Sequence, residues 1–203
     1  MRASLADQPG SAAACPPAGL TIALGANLPS PAGPPLATLL AVRPLLEGLL
    51  ETLLGELGGP PQWSPLFRSV PVGGPAGQPD YLNAAVLVRP ARPASAAAAL
   101  GLLAALQQLE RQFGRRRGER WGPRSLDLDL LWWGHLRCQG GALALPHPHL
   151  LERAFVLGPL AAIDADLVPP GGDAAAAALV KRLEAADPTA APQRLAGRPG
   201  WPE

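Results

Sequence analysis

Hydrophobic positions along this chain repeat with two periods, one that suits strands and one that suits helices. Leu20 to Leu24 is a short apolar run stopped by Gly25 and Asn27, which predicts a buried strand entering a turn. From Pro35 to Leu57 the residues Leu36, Leu39, Leu40, Leu46, Leu49, Leu50, Leu53 and Leu54 recur at helical spacing until Gly58 and Gly59 end the pattern. Pro44 marks a kink or a restart in that helix. A strand pattern follows at Gln62 to Val70, then a loop from Pro71 to Asp80 crowded with Gly and Pro, then its antiparallel partner at Tyr81 to Arg89. Ala94 to Phe113 predicts a second helix with Leu102, Leu106, Leu109 and Phe113 on one face and Gly114 as its cap. Leu126 to Trp133 predicts another strand.

The order strand, helix, strand, strand, helix, strand is that of a ferredoxin-like α+β sandwich, a βαββαβ core with helices packed on an antiparallel sheet. A weak hairpin at His135 to Leu145, a helical stretch near His149 to Ile163 and an Ala-rich helix at Ala174 to Ala186 follow it. The expected organisation is one domain over residues 20–186, with residues 1–19 and 187–203 as loose tails.

Composition narrows the range of functions. A chain of 203 residues with 48% hydrophobic content can bury one substantial core. The formal charge of +1 supplies no global field toward nucleic acid or anionic membrane, so no nucleic-acid partner is expected. Lys181 is the sole lysine, and only the position of an arginine therefore carries information. Cys15 and Cys138 are far apart and outside any CxxC spacing, which suits a reducing compartment and leaves both as bystanders. Residues 1–19 lack the apolar core of a secretory signal, and no apolar run approaches the roughly 18 residues of a membrane span. A cytoplasmic monomer is the expectation.

Candidate chemistry concentrates between Arg115 and Asp129. In Ser125-Leu126-Asp127-Leu128-Asp129, strand periodicity sets both carboxylates on one face and the leucines on the other, with the acids roughly 6.6 Å apart at Cα. That spacing can grip one hard cation or bridge a pair of them. An isolated DxD is more often an ordinary exposed strand face. Upstream, Arg115, Arg116, Arg117, Arg120 and Arg124 offer donor forks for phosphate oxygens within a loop flexible enough to fold over a ligand. Anion donors beside an acid pair suit a magnesium-bound polyphosphate. Trp121 either lies over a flat group or anchors the loop.

The run Arg120-Trp121-Gly122-Pro123-Arg124-Ser125-Leu126-Asp127-Leu128-Asp129 resembles the signature of the 6-hydroxymethyl-7,8-dihydropterin pyrophosphokinase family of folate biosynthesis. Three further stretches are similar in the same order: Leu24-Gly25-Ala26-Asn27, Gln78-Pro79-Asp80-Tyr81-Leu82-Asn83-Ala84, and Leu145-Pro146-His147 continuing to Arg153-Ala154-Phe155. The resemblance covers Leu20 to Val168. It implies transfer of pyrophosphate from ATP to the pterin hydroxymethyl group with release of AMP, and two magnesium ions on Asp127 and Asp129. It further implies that Tyr81 and Phe155 sandwich the pterin, that Asn83 bonds its polar edge, and that backbone groups near Ser69, Val70 and Val72 complete that edge. Gln107 and Glu110 align with the nucleotide rim, opposite the apolar stripe of their helix. Arg115, Arg117, Arg120 and Arg124 align with ATP-handling arginines, Trp121 with the same loop, and Leu130 with an adenine contact. His147 aligns with a phosphate contact and Arg153 adds a donor; Arg115 and Arg124 join the two aspartates as catalytic groups.

The chain departs from the family at Ala26, Val70, Ala144 and Pro148, each of which removes a possible hydrogen bond. The segment from Arg117 to Arg120 is one residue shorter than in some relatives, so which of Arg115, Arg116 and Arg117 faces inward stays open. His149, two residues from His147, forms no zinc site without a third ligand. An RNA-recognition module shares the same element order but needs aromatic residues on its central strands, which Thr21-Ile22-Ala23-Leu24 lacks.

Overall fold

The computed structural model describes residues 19–116, 118 and 121–202. The expected core is present: β1 (Leu20–Ala26), α1 (Pro35–Leu54), β2 (Gln62–Trp63) with β3 (Phe67–Ser69), β4 (Tyr81–Val88), α2 (Ala96–Gln112) and β5 (Asp127–Trp133). Beyond it lie α3 (Ala154–Ile163), α4 (Ala176–Ala186) and β6 (Gln193–Arg194). The sheet order is β5-β1-β4-β3-β6, with β2 also pairing β4, and every pairing is antiparallel. This is the ferredoxin-like α+β arrangement with one strand added at its edge.

Strand alternation divides the sheet into two faces. Leu20, Ile22, Leu24, Val86, Leu128 and Leu130 point to one side, where they pack with α1 and α2 in the main core. Thr21, Ala23 and Gly25 point to the other side. There a second cluster joins Ala85, Leu131 and Trp132 to Val156, Leu157 and Leu160 of α3 and to Leu179 of α4. The register of β5 against β1 slips between Thr21 and Ile22, which leaves Leu131 as an extra residue. Leu131 and Trp132 are consequently both buried in the second cluster. The α3–α4 layer covers only one end of this face, and the uncovered end is a cleft.

Several boundaries differ from the sequence reading. Helix α1 stops at Leu54 because Gly55 adopts φ 71°, ahead of Gly58 and Gly59. It runs through Pro44, whose ring is on the exposed side. The strand predicted over Gln62 to Val70 is two short pieces, since Pro65 has no amide hydrogen to continue a ladder. The hairpin near His135 is reduced to one bridge between Cys138 and Leu145. Residues 187–203 are not a loose tail where described: β6 pairs with β3, and the Trp201 indole is 6% exposed. Proline and glycine content concealed this, because burial of a single tryptophan and a two-residue pairing leave no periodic signal.

Candidate active site

Cross-strand register brings the site residues together. Gly25 is opposite both Asn83 and Asp127, Ala23 is opposite Asp129, and Ser69 is opposite Tyr81. Directly paired residues share a face. Four separate stretches of sequence therefore converge on the uncovered end of the sheet, in a cavity of about 510 Å³. Its floor is low at Gly25, where a β-carbon would come within 3.4 Å of Asn83 Oδ1 and 3.6 Å of the Tyr81 ring. Phe155 on α3 and Trp121 form other parts of the wall. Ser69, Val70 and Val72 line one rim, and His147, Arg153, Arg124, Asp127 and Asp129 line the opposite side.

The acid pair is held by arginines. Asp127 accepts from Arg115 Nη1 at 2.5 Å and from Arg124 Nη1 at 2.6 Å, one guanidinium on each oxygen. Burial alone would lower the Arg124 pKa, but the Asp127 carboxylate outweighs it and holds the pKa above its ordinary value. Asp129 has a weaker partner in Arg153, 3.9 Å away. A third of its side chain, 34%, is open to the cleft, yet the protein packed around it restricts solvation. Burial, reinforced by the Asp127 charge, pushes the Asp129 carboxyl up to about 7.

Glu110 departs from its expected position opposite the apolar stripe. It is 5% exposed and turned toward β5, where Oε1 accepts from Leu128 N at 2.8 Å and from the Arg115 guanidinium. Burial raises its pKa, opposed by Arg115. Gln107 is exposed and forms no part of the cleft lining. Leu130 is also displaced from its expected role, since its side chain is packed in the main core on the far side of the sheet. Arg116 is exposed, so Arg115 is the inward-facing one of the two. Arg117 and Arg120 lie outside the described residues.

His147 is half-buried, and burial, then the Arg153 charge, lower its pKa to about 4. Its Nδ1 accepts from His149 N at 3.2 Å, so the neutral ring carries its hydrogen on Nε2. The Tyr81 hydroxyl donates to Gly122 O at 3.1 Å, and burial raises its pKa against the pull of Arg124. Trp121 adopts φ 57° and lies against Gly73, where an added β-carbon would meet its ring at 3.1 Å. It thus packs on the loop after β3 as well as lining the cleft.

Sequence reasoning assigned no role to Asn27 or Gln78. Asn27 Oδ1 accepts from Arg124 N at 2.7 Å, and its Nδ2 donates to Pro79 O at 3.0 Å. Gln78 Nε2 donates to Trp121 O at 3.1 Å. Both side chains join the loop over residues 71–80 to the loop over residues 121–125. The only sequence signal was their place in two of the runs quoted above, and their partners lie too far along the chain to be read locally.

Fold and cleft together define a ferredoxin-like α+β protein in which a strand-borne acid pair and its arginines face an aromatic recess. The sequence profile of the 7,8-dihydro-6-hydroxymethylpterin-pyrophosphokinase (HPPK) family matches residues 21–165, and the chain belongs to that family. A 2-amino-4-hydroxy-6-hydroxymethyldihydropteridine pyrophosphokinase of Pseudomonas aeruginosa is 42% identical over 151 residues, 74% of this chain and 83% of its own. The Haemophilus influenzae enzyme of the same name is 39% identical over 149 residues, 73% of this chain and 83% of its own. Among solved structures, an HPPK-DHPS in complex with substrates superposes with a TM-score of 0.54 at 12% identity, over 84% of this chain and 45% of that one. Wild-type Plasmodium falciparum HPPK-DHPS with SDX-DHP gives 0.52 at 13% identity, over 82% of this chain and 44% of that one. These two likenesses support the fold.

Proposed function

We propose that this chain transfers a pyrophosphoryl group from ATP to the hydroxymethyl oxygen of 6-hydroxymethyl-7,8-dihydropterin, as a pyrophosphokinase of folate biosynthesis. The observation that carries the reading is that one cavity holds both halves of the chemistry. Tyr81, Asn83 and Phe155 line the same space as Asp127, Asp129, Arg124 and Arg153. In this reading the pterin ring lies between Tyr81 and Phe155, and its polar edge meets Asn83 and the backbone of Ser69, Val70 and Val72. Two aromatic faces suit a flat ring, and main-chain groups suit its alternating donors and acceptors.

The pterin oxygen attacks the β-phosphorus, the bond from that phosphorus to the α–β bridging oxygen breaks, AMP leaves, and the hydroxyl proton is released. Arg115, Arg124 and Arg153 supply donors to the polyphosphate, and His147 offers a neutral Nε2–H to a phosphate oxygen without adding charge. Arg117 and Arg120 carry the same proposed role. Gln107, being exposed, and Leu130, through its side chain, have little support as nucleotide contacts. Trp121, which lines the cleft, would help to limit access of water to the reacting atoms once substrates are bound.

The residues fit magnesium. Among the described residues no group of three or more His, Cys, Asp or Glu could hold a metal ion. A carboxylate pair completed by phosphate oxygens and water is the ordinary way this ion is bound. The raised pKa of Asp129 marks a carboxylate short of compensating positive charge. When bound, magnesium neutralises negative charge on the polyphosphate around the bond that breaks. Asp127 and Asp129 are the residues that would hold it, and two ions are proposed. For Asp127 to do so, Arg115 and Arg124 must transfer from its oxygens to the phosphates, which is a direct exchange of one anion for another.

The deciding experiment incubates the protein with ATP, magnesium and the reduced hydroxymethylpterin and identifies the nucleotide product. AMP formed only when pterin is present supports the reading, with a loss of at least ~100-fold in Asp127→Ala and Asp129→Ala. Formation of ADP, or alanine variants as fast as the parent, would overturn it. No described helix is long and apolar enough to cross a membrane.

A further inference from the structure

The cleft rim formed by Ser69 to Gly73 continues directly from β3, a strand of three residues. Strand β3 is short for a physical reason: Pro65 before it and Pro71 after it have no amide hydrogen to give a ladder. On one side it pairs with β4 from Tyr81 to Asn83. On the other side it would present an open edge, and residues 192–201 close that edge. Phe67 pairs with Arg194, Arg68 pairs with Gln193, and Leu195 N donates to Leu66 O at 2.8 Å.

The same segment is fixed to both faces of the sheet. On the cleft side, Pro192 packs against α3 at Gly158, where a β-carbon would come within 2.8 Å of its ring, with Phe67 next to it. On the main-core side, the Trp201 indole packs edge-on to Trp63, with ring centroids 5.4 Å apart and planes at 78°. Trp201 Nε1 donates to Ser64 O at 2.9 Å, and Trp63 Nε1 donates to Glu47 on α1 at 2.8 Å. Residues 192–201 thus connect α3, the β2–β3 edge and α1. They also lie outside the stretch 21–165 that defines the family match.

We propose that residues 192–201 are a positioning clasp for the pterin side of the cleft: they hold β3 so that the backbone from Ser69 to Val72 keeps its place opposite Tyr81 and Asn83. None of them lines the cleft, and none of the contacts above reaches the acid pair or its arginines. The clasp therefore separates the two substrates. Loosening it moves the rim that reads the pterin and leaves the polyphosphate side on β5 intact. The inference rests on the assignment of the Ser69 rim to the pterin.

The test compares the full chain with Leu195→Pro, which removes the amide that bonds Leu66 O, and with Trp201→Ala and Trp201→Phe. Steady-state rates are measured against each substrate in turn, with circular dichroism to verify folding. The expected result for Leu195→Pro and Trp201→Ala is a pterin KM raised about tenfold, with the ATP KM and kcat within about twofold of the parent. Trp201→Phe, which keeps the ring contact with Trp63, should recover most of the loss. Unchanged KM values in folded Leu195→Pro and Trp201→Ala would overturn the clasp, and so would an equal rise for both substrates, which is what a general loss of stability produces. If Leu195→Pro does not fold, the two Trp201 variants decide the matter by the same criterion. A parent protein that makes no AMP from ATP and pterin would instead refute the proposed function, so the two failures are distinct.

Discussion

At Asp129 burial and the Asp127 charge hold the proton up to about pH 7, whereas an ordinary aspartate releases it near 3.8. Between those values the folded state binds the proton and the unfolded state does not. Stability of the ligand-free protein from this group is therefore complete below about pH 3.8 and is lost progressively as pH rises from there through about 7. Asp129→Asn mimics the protonated form and should flatten that part of the profile, with a Tm several °C above the parent at pH 8 and a gap that narrows steadily as pH falls toward about 4. Thermal melts of both proteins across this range check it; a steeper dependence in the variant would contradict the assignment. Glu110 shows a different use of a buried acid. Its raised pKa comes from burial, but it has a backbone partner at Leu128 and a cation at Arg115, so it orders β5 between the two aspartates.

Helix α2 ends in a way that aims its own side chains at the site. Gly114 N donates to Arg111 O at 3.0 Å and Arg115 N donates to Glu110 O at 3.0 Å, the two bonds of a Schellman motif around Gly114 at φ 80°. The reversal brings the Arg115 guanidinium back over Glu110 and onto Asp127. A side chain at Gly114 would be strained by about 1 kcal/mol in that conformation, and its β-carbon would be 3.2 Å from Pro31. Gly114→Ala should therefore lower kcat/KM about tenfold, chiefly by displacing Arg115, while the Tm falls only about 2–4 °C. Steady-state kinetics beside a melting curve separate these outcomes; full activity would mean that Arg115 reaches Asp127 without the motif. At this scale the sequence was informative, because Gly114 after the leucine stripe announced the cap. It could not show that Glu110 is buried, since its partner amide belongs to a strand eighteen residues away.

Across the whole molecule, Asn27 at the end of β1 binds both loops that frame the cleft. Its side chain takes the Arg124 amide hydrogen and donates to Pro79, and the amides of Asn27 and Leu28 both reach Arg124 O. Asn27→Ala leaves a part-buried amide without its acceptor, a cost of about 1–3 kcal/mol that corresponds to a Tm lower by roughly 3–8 °C. Because both loops are released, the KM values for pterin and for ATP should rise together, unlike the separation expected for the clasp at Trp201. Titrating each substrate against the variant tests this, and a change confined to one substrate would contradict the shared anchor.

Hydrophobic periodicity in the sequence determined the element order, the two-faced sheet and the placement of Asp127 and Asp129 away from the leucines, because these follow from the local geometry of strands and helices. The family signature made the acid pair, the arginines and the aromatic residues legible as candidates. Tertiary structure alone decided how they meet: the register that sets Gly25 against Asn83 and Asp127, the exposure of Gln107, and the packing of the Leu130 side chain in the core. It also decided that a proline- and glycine-rich segment ending near Trp201 closes the sheet edge. These outcomes depend on pairing between residues distant in the chain, and such pairing has no local period from which it could be read.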